Sequence, residues 1–300
     1  MENLDLFDGS LQQRKILLSY GGGLDSTALI AMDANREATA TFLGIFTLQL
    51  DVALPKFDHA VFSDPGAEFR ATYQTIAQIK RLLGDRLIIT RKNGETITEW
   101  CYRLGTLPIM PGGSHICSQK FKGDVLAAWA RAEGISQPIW LIGIEANEGG
   151  RAKRFSPPVD DAAEYRYPLV DLGLKREQLH ELLQHLGWEP VRKSSCIFCP
   201  FMSEQELRNM YFNHSEEWQT VVEIEKHFQK MSPLKHQAWL DAGCPLDSAG
   251  RAPRGMWRKD SWANGARLFA KSVKGRRLSV DEWAQRSDSL IKSSEATQTT

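Results

Sequence analysis

Three hundred residues, 42% of them hydrophobic and 25% charged, suffice for one large domain or a core domain with an extension, and they exclude a chain disordered throughout. Lysine and arginine together number 37, as do aspartate and glutamate, so the formal charge is zero. No uninterrupted apolar stretch reaches the roughly 18 residues of a membrane span, and residues Met1 to Ser10 are acidic without an apolar signal core. A cytoplasmic protein without membrane association is expected.

Residues 15–20 form a short apolar run that ends in three glycines, which reads as a buried strand entering a tight loop. Ser26 to Asn35 follows with helical spacing at Leu29, Ile30 and Met32. Thr41 to Phe57 fits a helix, a strand or a loop insertion. His59 to Ser63 reads as a second strand, ended by the turn Asp64, Pro65, Gly66. Ala67 to Leu83 has the helical apolar period, at Phe69, Tyr73, Ile76, Ile79 and Leu83. Leu87 to Thr90 predicts a third strand, Thr96 to Leu104 and Phe121 to Ala132 predict helices, and Ile139 to Ile144 predicts a fourth strand before a polar, Gly-rich loop. Lys175 to Leu186 is an amphipathic helix. Beyond Cys199 the pattern is helical and Trp-rich, without further clear strands, and from Asp288 it is polar and expected to be disordered.

Strands and helices alternate, and the strands are continuously apolar. This predicts an α/β fold with a doubly wound, mostly parallel sheet and a helical C-terminal extension. Residues 14–201 form the expected nucleotide-binding domain, 202–287 the helical, basic extension and 288–300 the tail. Ligands of such sheets sit beyond the carboxyl ends of the strands. Gly21 to Ser26, Asp64 to Glu68 and Glu145 to Arg154 all follow predicted strands, so a site is expected where these loops converge.

The strand, the glycine turn and then Asp25, Ser26 and Thr27 opening a helix make an anion site, because glycines let backbone N–H groups approach phosphate oxygens and the helix N-terminus adds its dipole. No Gly-Lys-Ser/Thr follows, so this is not a Walker A loop, and Ser26 stands where the dinucleotide fingerprint needs its third glycine. The loop resembles the PP-loop of ATP pyrophosphatases, Ser-Gly-Gly-x-Asp-Ser. Gly22, Gly23, Asp25 and Ser26 match, and Gly21 replaces the first serine. Residues 61–68 with Thr72 and Tyr73 resemble the second-strand signature of the phosphoadenylyl-sulfate (PAPS) reductase branch of that superfamily. Residues 143–154 resemble its fourth-strand loop, where Glu148 and Arg151 match and Glu145 falls where arginine is often seen. Tyr167 to Asp171 resembles its Tyr-Pro-Leu-x-Asp segment. The resemblance spans roughly residues 15–201.

It implies an adenine nucleotide alpha hydrolase-like fold and an enzyme. ATP, with Mg²⁺, would be held by Gly21, Gly22, Gly23, Asp25, Ser26, Thr27, Asp64, Glu68 and Glu148, and Asp25, Ser26, Arg151 and Arg154 would serve catalysis. Read from the residues alone, Asp64 and Glu68 also suit turn and helix-start roles. Lys120, Lys122, Arg151, Lys153 and Arg154 also suit a solvated surface, although a guanidinium fork favours phosphate contact at the two arginines.

Five cysteines, an odd number without a dense framework, argue against structural disulfides. Cys196, Cys199 and Pro200 form a CxxCP, and Cys117 precedes Lys120 and Lys122. Iron–sulfur assimilatory reductases resemble this arrangement, with Ile116 here in place of one cysteine. Three readings are open. Cys117, Cys196 and Cys199 hold a [4Fe–4S] cluster with one open iron; or they hold Zn²⁺ with His115, His214 or Cys244 as fourth ligand; or Cys196 and Cys199 are a redox pair. Cys101 is expected in the core, and Cys244 is unassigned. The Glu-Cys-Gly-x-His tail of thiol-dependent PAPS reductases is missing.

Between Arg251 and Arg277 nine Lys/Arg face one acid, Asp260, interleaved with Trp257, Trp262 and Phe269. Such a segment suits phosphates and unpaired bases, or a basic face docked on an acidic core with its aromatics buried. The resulting expectation is an enzyme that cleaves ATP to AMP and pyrophosphate and activates a substrate by adenylylation for sulfur transfer to a nucleic acid or nucleobase, with a sulfur-donor protein as partner. An adenylyl-sulfate or phosphoadenylyl-sulfate reductase and a non-catalytic nucleotide-binding subunit are the competing expectations.

Overall fold

The structure is a computed structural model that describes residues 14–108, 116–153, 162–191, 193–199, 202–246, 248, 250, 267–269, 272–273 and 276–298. The chain divides into two units that are not sequential. The first comprises Met1–Ser63, Ala71–Thr90 and Leu126–Ser194, and the second comprises Asp64–Arg70, Arg91–Val125 and Ser195–Thr300.

The first unit carries five strands: β1 (Ile16–Tyr20), β2 (His59–Ser63), β3 (Leu87–Thr90), β4 (Ile139–Ile142) and β5 (Glu164–Arg166). They lie in the order β3-β2-β1-β4-β5, and every adjacent pair is parallel. Side chains alternate across a strand, and β1 shows the consequence. Leu18 and Tyr20 join one core with Leu29, Ile76, Ile79, Leu179 and Leu182 from three helices, while Leu17 joins Val61, Ala130 and Trp140 on the other face. Both faces are therefore covered, which is why the central strands read as unbroken apolar runs. The sheet is the doubly wound α/β architecture expected from the sequence.

β5 was not legible in the sequence. It is three residues long at the sheet edge, and its ends are charged: Arg166 pairs with Glu164 at 2.6 Å and Arg14 with Glu164 at 2.7 Å. Thr41 to Phe57 resolves into the end of the helix Arg36–Leu43 and the helix Thr47–Ala53. The first ends at Gly44 (φ +65°), and Leu50, Leu54 and Phe57 enter the core.

The second unit is mostly helical. Ile97–Leu104, Glu204–Asn213, the 27-residue Ser215–Asp241 and Val280–Gln298 are its main helices. A short antiparallel pair, β6 (Ser272–Val273) and β7 (Arg276–Arg277), adds strands where the sequence shows none. Its core gathers Trp100, Phe121, Leu207, Met210, Trp218, Phe228 and Trp283. The segment from Asp288, where disorder is expected, is helical as far as Gln298. The physical reason lies at the start of the helix and where this segment begins. Ser279 and Glu282 cap the helix reciprocally at 3.1 and 2.8 Å, Ser287 is buried, and Tyr211 donates its hydroxyl proton to the Asp288 carboxylate at 3.0 Å.

In the basic segment, Leu268 and Phe269 are buried in this same core. Phe269 is thus a packing residue and is not available for base stacking. Trp257 and Trp262 lie outside the described residues. Among the described residues no helix is long and apolar enough to cross a membrane.

Candidate functional site

β1 delivers the chain into Gly21, Gly22 and Gly23, and the helix Leu24–Ala34 begins at once. Gly22 has φ +72°, and a Cβ there would stand 2.8 Å from Thr72 Cγ2. Both conditions favour glycine. Gly23 is the N-cap, with extended backbone and no side-chain cap. A helix whose first N–H groups lack a side-chain acceptor presents them to an anion. A Cβ on Gly23 would lie 2.8 Å from Ser194 Oγ. Ser26 braces the loop: its Oγ accepts the Gly21 N–H at 3.2 Å and lies 3.4 Å from the Gly23 carbonyl oxygen.

The loop after β4 closes on this turn. A Cβ on Gly143 would meet the Ser26 backbone nitrogen at 2.7 Å. Sequence reasoning did not single out Gly143. The available signal was a glycine at a strand end, a common mark of close backbone approach. Thr27 has its hydroxyl 3.4 Å from that of Tyr20 and is fully buried, so it supports the loop from behind and does not face a ligand. Burial raises the Tyr20 hydroxyl to about 12, which keeps it neutral.

Asp25, in the first helical turn, faces the acids of the β4 loop. Burial pushes its carboxyl above the ordinary range. The Glu145 backbone N–H and the charge of Arg176 oppose the rise, and the charges of Glu148 and Glu145 add to it. Glu145 is itself buried and accepts the Asn147 N–H at 2.8 Å, so it caps the short turn Ala146–Glu148. Glu148 and Arg151 are exposed and pair at 3.1 Å. Arg154 lies outside the described residues, as does the side chain of Lys153. A Mg²⁺ ion in a nucleotide site takes one or two carboxylates plus phosphate oxygens, and Asp25, Glu145 and Glu148 are the carboxylates gathered at this turn.

Asp64 and Glu68 belong to the second unit. Asp64 Oδ1 accepts the Gly66 N–H at 2.7 Å, and Oδ2 accepts from Arg91. The turn is fixed further by the Ile97 N–H on the Pro65 carbonyl at 2.8 Å. At Gly66 (φ +69°) a Cβ would lie 2.2 Å from Thr96 Cγ2. Asp64 thus takes the turn role. Glu68 has a fully buried side chain and accepts from Lys122 Nζ at 3.1 Å, so Lys122 is not the free surface charge its sequence context allows.

Glu68 also pairs through its backbone with Cys196 in an antiparallel bridge, flanked by the Ile197 N–H on the Ala67 carbonyl at 2.9 Å. Opposed residues of an antiparallel pair project to the same side, which places Cys196 beside Glu68 and its lysine. Cys196 and Cys199 span one turn, closed by the Cys199 N–H on the Cys196 carbonyl at 2.9 Å. All three half-buried cysteines, Cys117, Cys196 and Cys199, pack against the second unit's core. Burial pushes the Cys196 thiol well up and Glu68 adds to it, while the Phe198 N–H and Lys122 oppose. Cys117 is raised by burial, with Lys122 opposing. For Lys122, burial works against the charge, and Glu68, Cys196 and Cys117 together overcome it and raise its pKa.

Among the described residues, no three His, Cys, Asp or Glu side chains form a group that could hold a metal ion. The Lys122 ammonium stands beside Cys196 and Cys117, where its charge opposes the rise that burial gives both thiols. Of the fourth-ligand candidates, His214 meets Phe69 edge to face at 5.5 Å, Cys244 is exposed with φ +56°, and His115 lies outside the described residues. Cys101 is buried in the core, as expected.

No family profile matches the chain, and no curated protein matches it. Among solved structures it is similar to a phosphoadenylyl-sulfate (PAPS) reductase from Candida auris in a phosphate complex, at 13% identity and a TM-score of 0.36, covering 61% of this chain and 84% of that one.

Proposed function

We propose that the first unit is a nucleotide-activating enzyme unit that binds ATP on the loop Gly21 to Ser26 and cleaves it to AMP and pyrophosphate. The observation that supports this most is the approach of Gly143 to the Ser26 backbone, at the mouth of a helix that has no side chain on its first N–H groups. Those donors and the helix dipole favour a negatively charged ligand, and a triphosphate supplies that charge. Gly21, Gly22 and Gly23 let the phosphates approach the backbone. Ser26 keeps the loop closed. Asp25, with Glu148 beside it, holds Mg²⁺, which neutralises phosphate charge when bound.

In this reading a substrate oxygen attacks the α-phosphorus, pyrophosphate leaves, and the substrate is adenylylated. The protein contributes position and electrostatic stabilisation. Arg151 joins the phosphates by exchanging its exposed bond to Glu148, a pair that contributes little on its own. A sulfur nucleophile, delivered by a donor protein, then displaces AMP. The acceptor is a nucleic acid or nucleobase, as the excess of cations between Arg251 and Arg277 suggests.

The test is ATP–pyrophosphate exchange with the full chain, with and without single-stranded nucleic acid. Exchange lost in Gly143→Ala supports the reading. Turnover of adenylyl-sulfate or phosphoadenylyl-sulfate with a thiol donor and no ATP would replace it by the reductase reading. Tight nucleotide binding without pyrophosphate release would make the unit a sensor.

A further inference from the structure

We infer that Cys196 and Cys199 form a reversible dithiol–disulfide centre in the second unit, independent of the nucleotide reading. Their spacing and turn carry the inference. The Cys199 N–H on the Cys196 carbonyl closes a β-turn, whose end Cα atoms lie within about 7 Å of each other. A disulfide needs roughly 4.4–6.8 Å between Cα atoms. The pair therefore closes with little backbone movement.

The surroundings suit an exchange centre. The antiparallel bridge to Glu68 anchors the Cys196 end, with the Ile197 N–H on the Ala67 carbonyl beside it at 2.9 Å. The other end continues into the Met202 N–H on the Cys199 carbonyl at 3.2 Å. The Phe198 N–H points at the Cys196 sulfur, and Lys122, held by Glu68 at 3.1 Å, supplies the positive charge on that side. Both oppose burial and Glu68, which raise the Cys196 thiol, and so offset part of the negative charge that a sulfur carries while it attacks a disulfide. Cys101, by contrast, is sealed in the core, and Cys244 has no cysteine partner in its turn.

The reaction is thiol–disulfide exchange with a small-molecule disulfide such as oxidised glutathione. One thiol of the pair loses its proton to solvent, and the sulfur attacks the external S–S bond. One external thiolate leaves, takes up a proton, and a mixed disulfide remains. The second thiol of the pair resolves it, forming the Cys196–Cys199 bond and releasing the second external thiol. The pair is oxidised by two electrons, and the external disulfide is reduced to two thiols.

The experiment equilibrates the full chain, purified reduced, in glutathione buffers of increasing oxidation. It then traps free thiols with iodoacetamide and maps tryptic peptides. Residues 194–208 form one tryptic peptide that carries both cysteines. The expected result is that this peptide goes from doubly alkylated to unalkylated and lighter by two hydrogens, and returns on reduction. Cys117→Ser should keep the transition, and Cys199→Ser should abolish it while circular dichroism shows the fold retained. Alkylation of both cysteines at every poise overturns the inference. So does a Cys117–Cys196 link, or a co-purifying metal that protects all three thiols. Pyrophosphate exchange measured on the same samples reports on the nucleotide reading separately.

Discussion

Gly143 lies so close to Ser26 that a Cβ on the glycine would stand 2.7 Å from the Ser26 nitrogen and 3.0 Å from the Asp25 carbonyl carbon. Both neighbours are backbone, so neither can rotate away. Gly143→Ala must therefore push the β4 loop off the helix N-terminus. The expected cost is about 1–3 kcal/mol, the usual range for overpacking. Nucleotide affinity should fall further than stability, by tenfold or more, since the displaced atoms are the proposed phosphate donors. Denaturant melts and calorimetric titration with a non-hydrolysable ATP analogue check the two halves. Undiminished affinity would remove the β4 loop from the site.

Gly22 separates two effects. Its φ of +72° costs a side chain about 1–2 kcal/mol, and a Cβ would also stand 2.8 Å from Thr72 Cγ2. The second neighbour is a methyl group that can be deleted. Gly22→Ala should therefore be destabilising, and adding Thr72→Ser should recover only the steric part. Full recovery in the double variant, read from urea midpoints, would mean that backbone strain is not what selects glycine here.

The sequence showed the sheet's interior strands because those strands are buried on both faces, as Leu17 and Leu18 are. It did not show β5, whose three residues hold two charges that pair at the edge. The glycine loop was legible because strand, glycines and helix start are consecutive. Its partner Gly143 was not, because close approach between residues 117 apart in sequence, Gly143 and Ser26, leaves no local pattern. Asp64 and Glu68 show the converse limit. Their position after a strand fits a ligand role, yet their partners, Arg91 and Lys122, lie 27 and 54 residues away in sequence. Thr27 looks like a phosphate-binding hydroxyl in the sequence, and only its contact with Tyr20 shows otherwise.

Glu225 gives a pH signature. Its carboxylate is buried and accepts the Leu268 N–H at 2.9 Å and the Val280 N–H at 2.6 Å. Burial raises its pKa, those two N–H groups and Arg267 oppose, and Asp281 adds to the rise. Lys226, on the same helix, is drawn off to Asp281 at 3.3 Å. The folded protein therefore holds this proton more tightly than the unfolded chain, whose glutamates titrate near about 4.3. The stabilisation from that proton is complete below the unfolded value and is lost as pH rises through the folded one. Unfolding free energy measured across that window should decline more steeply in the wild type than in Glu225→Gln. Parallel pH profiles would show that Glu225 does not titrate abnormally.

Glu68 and Lys122 should couple in a double-mutant cycle. Glu68 has no side-chain exposure, while Lys122 keeps 38%, so the pair is neither a surface bridge nor a fully buried one. Removing the lysine leaves a buried carboxylate without the cation it pairs with, and removing the carboxylate leaves the lysine without its paired anion. The double change, Lys122→Met with Glu68→Gln, should therefore cost less than the sum of the two single changes. Coupling within the range of about 0.5–3 kcal/mol is expected for such neighbours. The cycle is read from urea unfolding of the four proteins under reducing conditions, with all cysteines as thiols. Strict additivity would show that the lysine is held there by something other than Glu68.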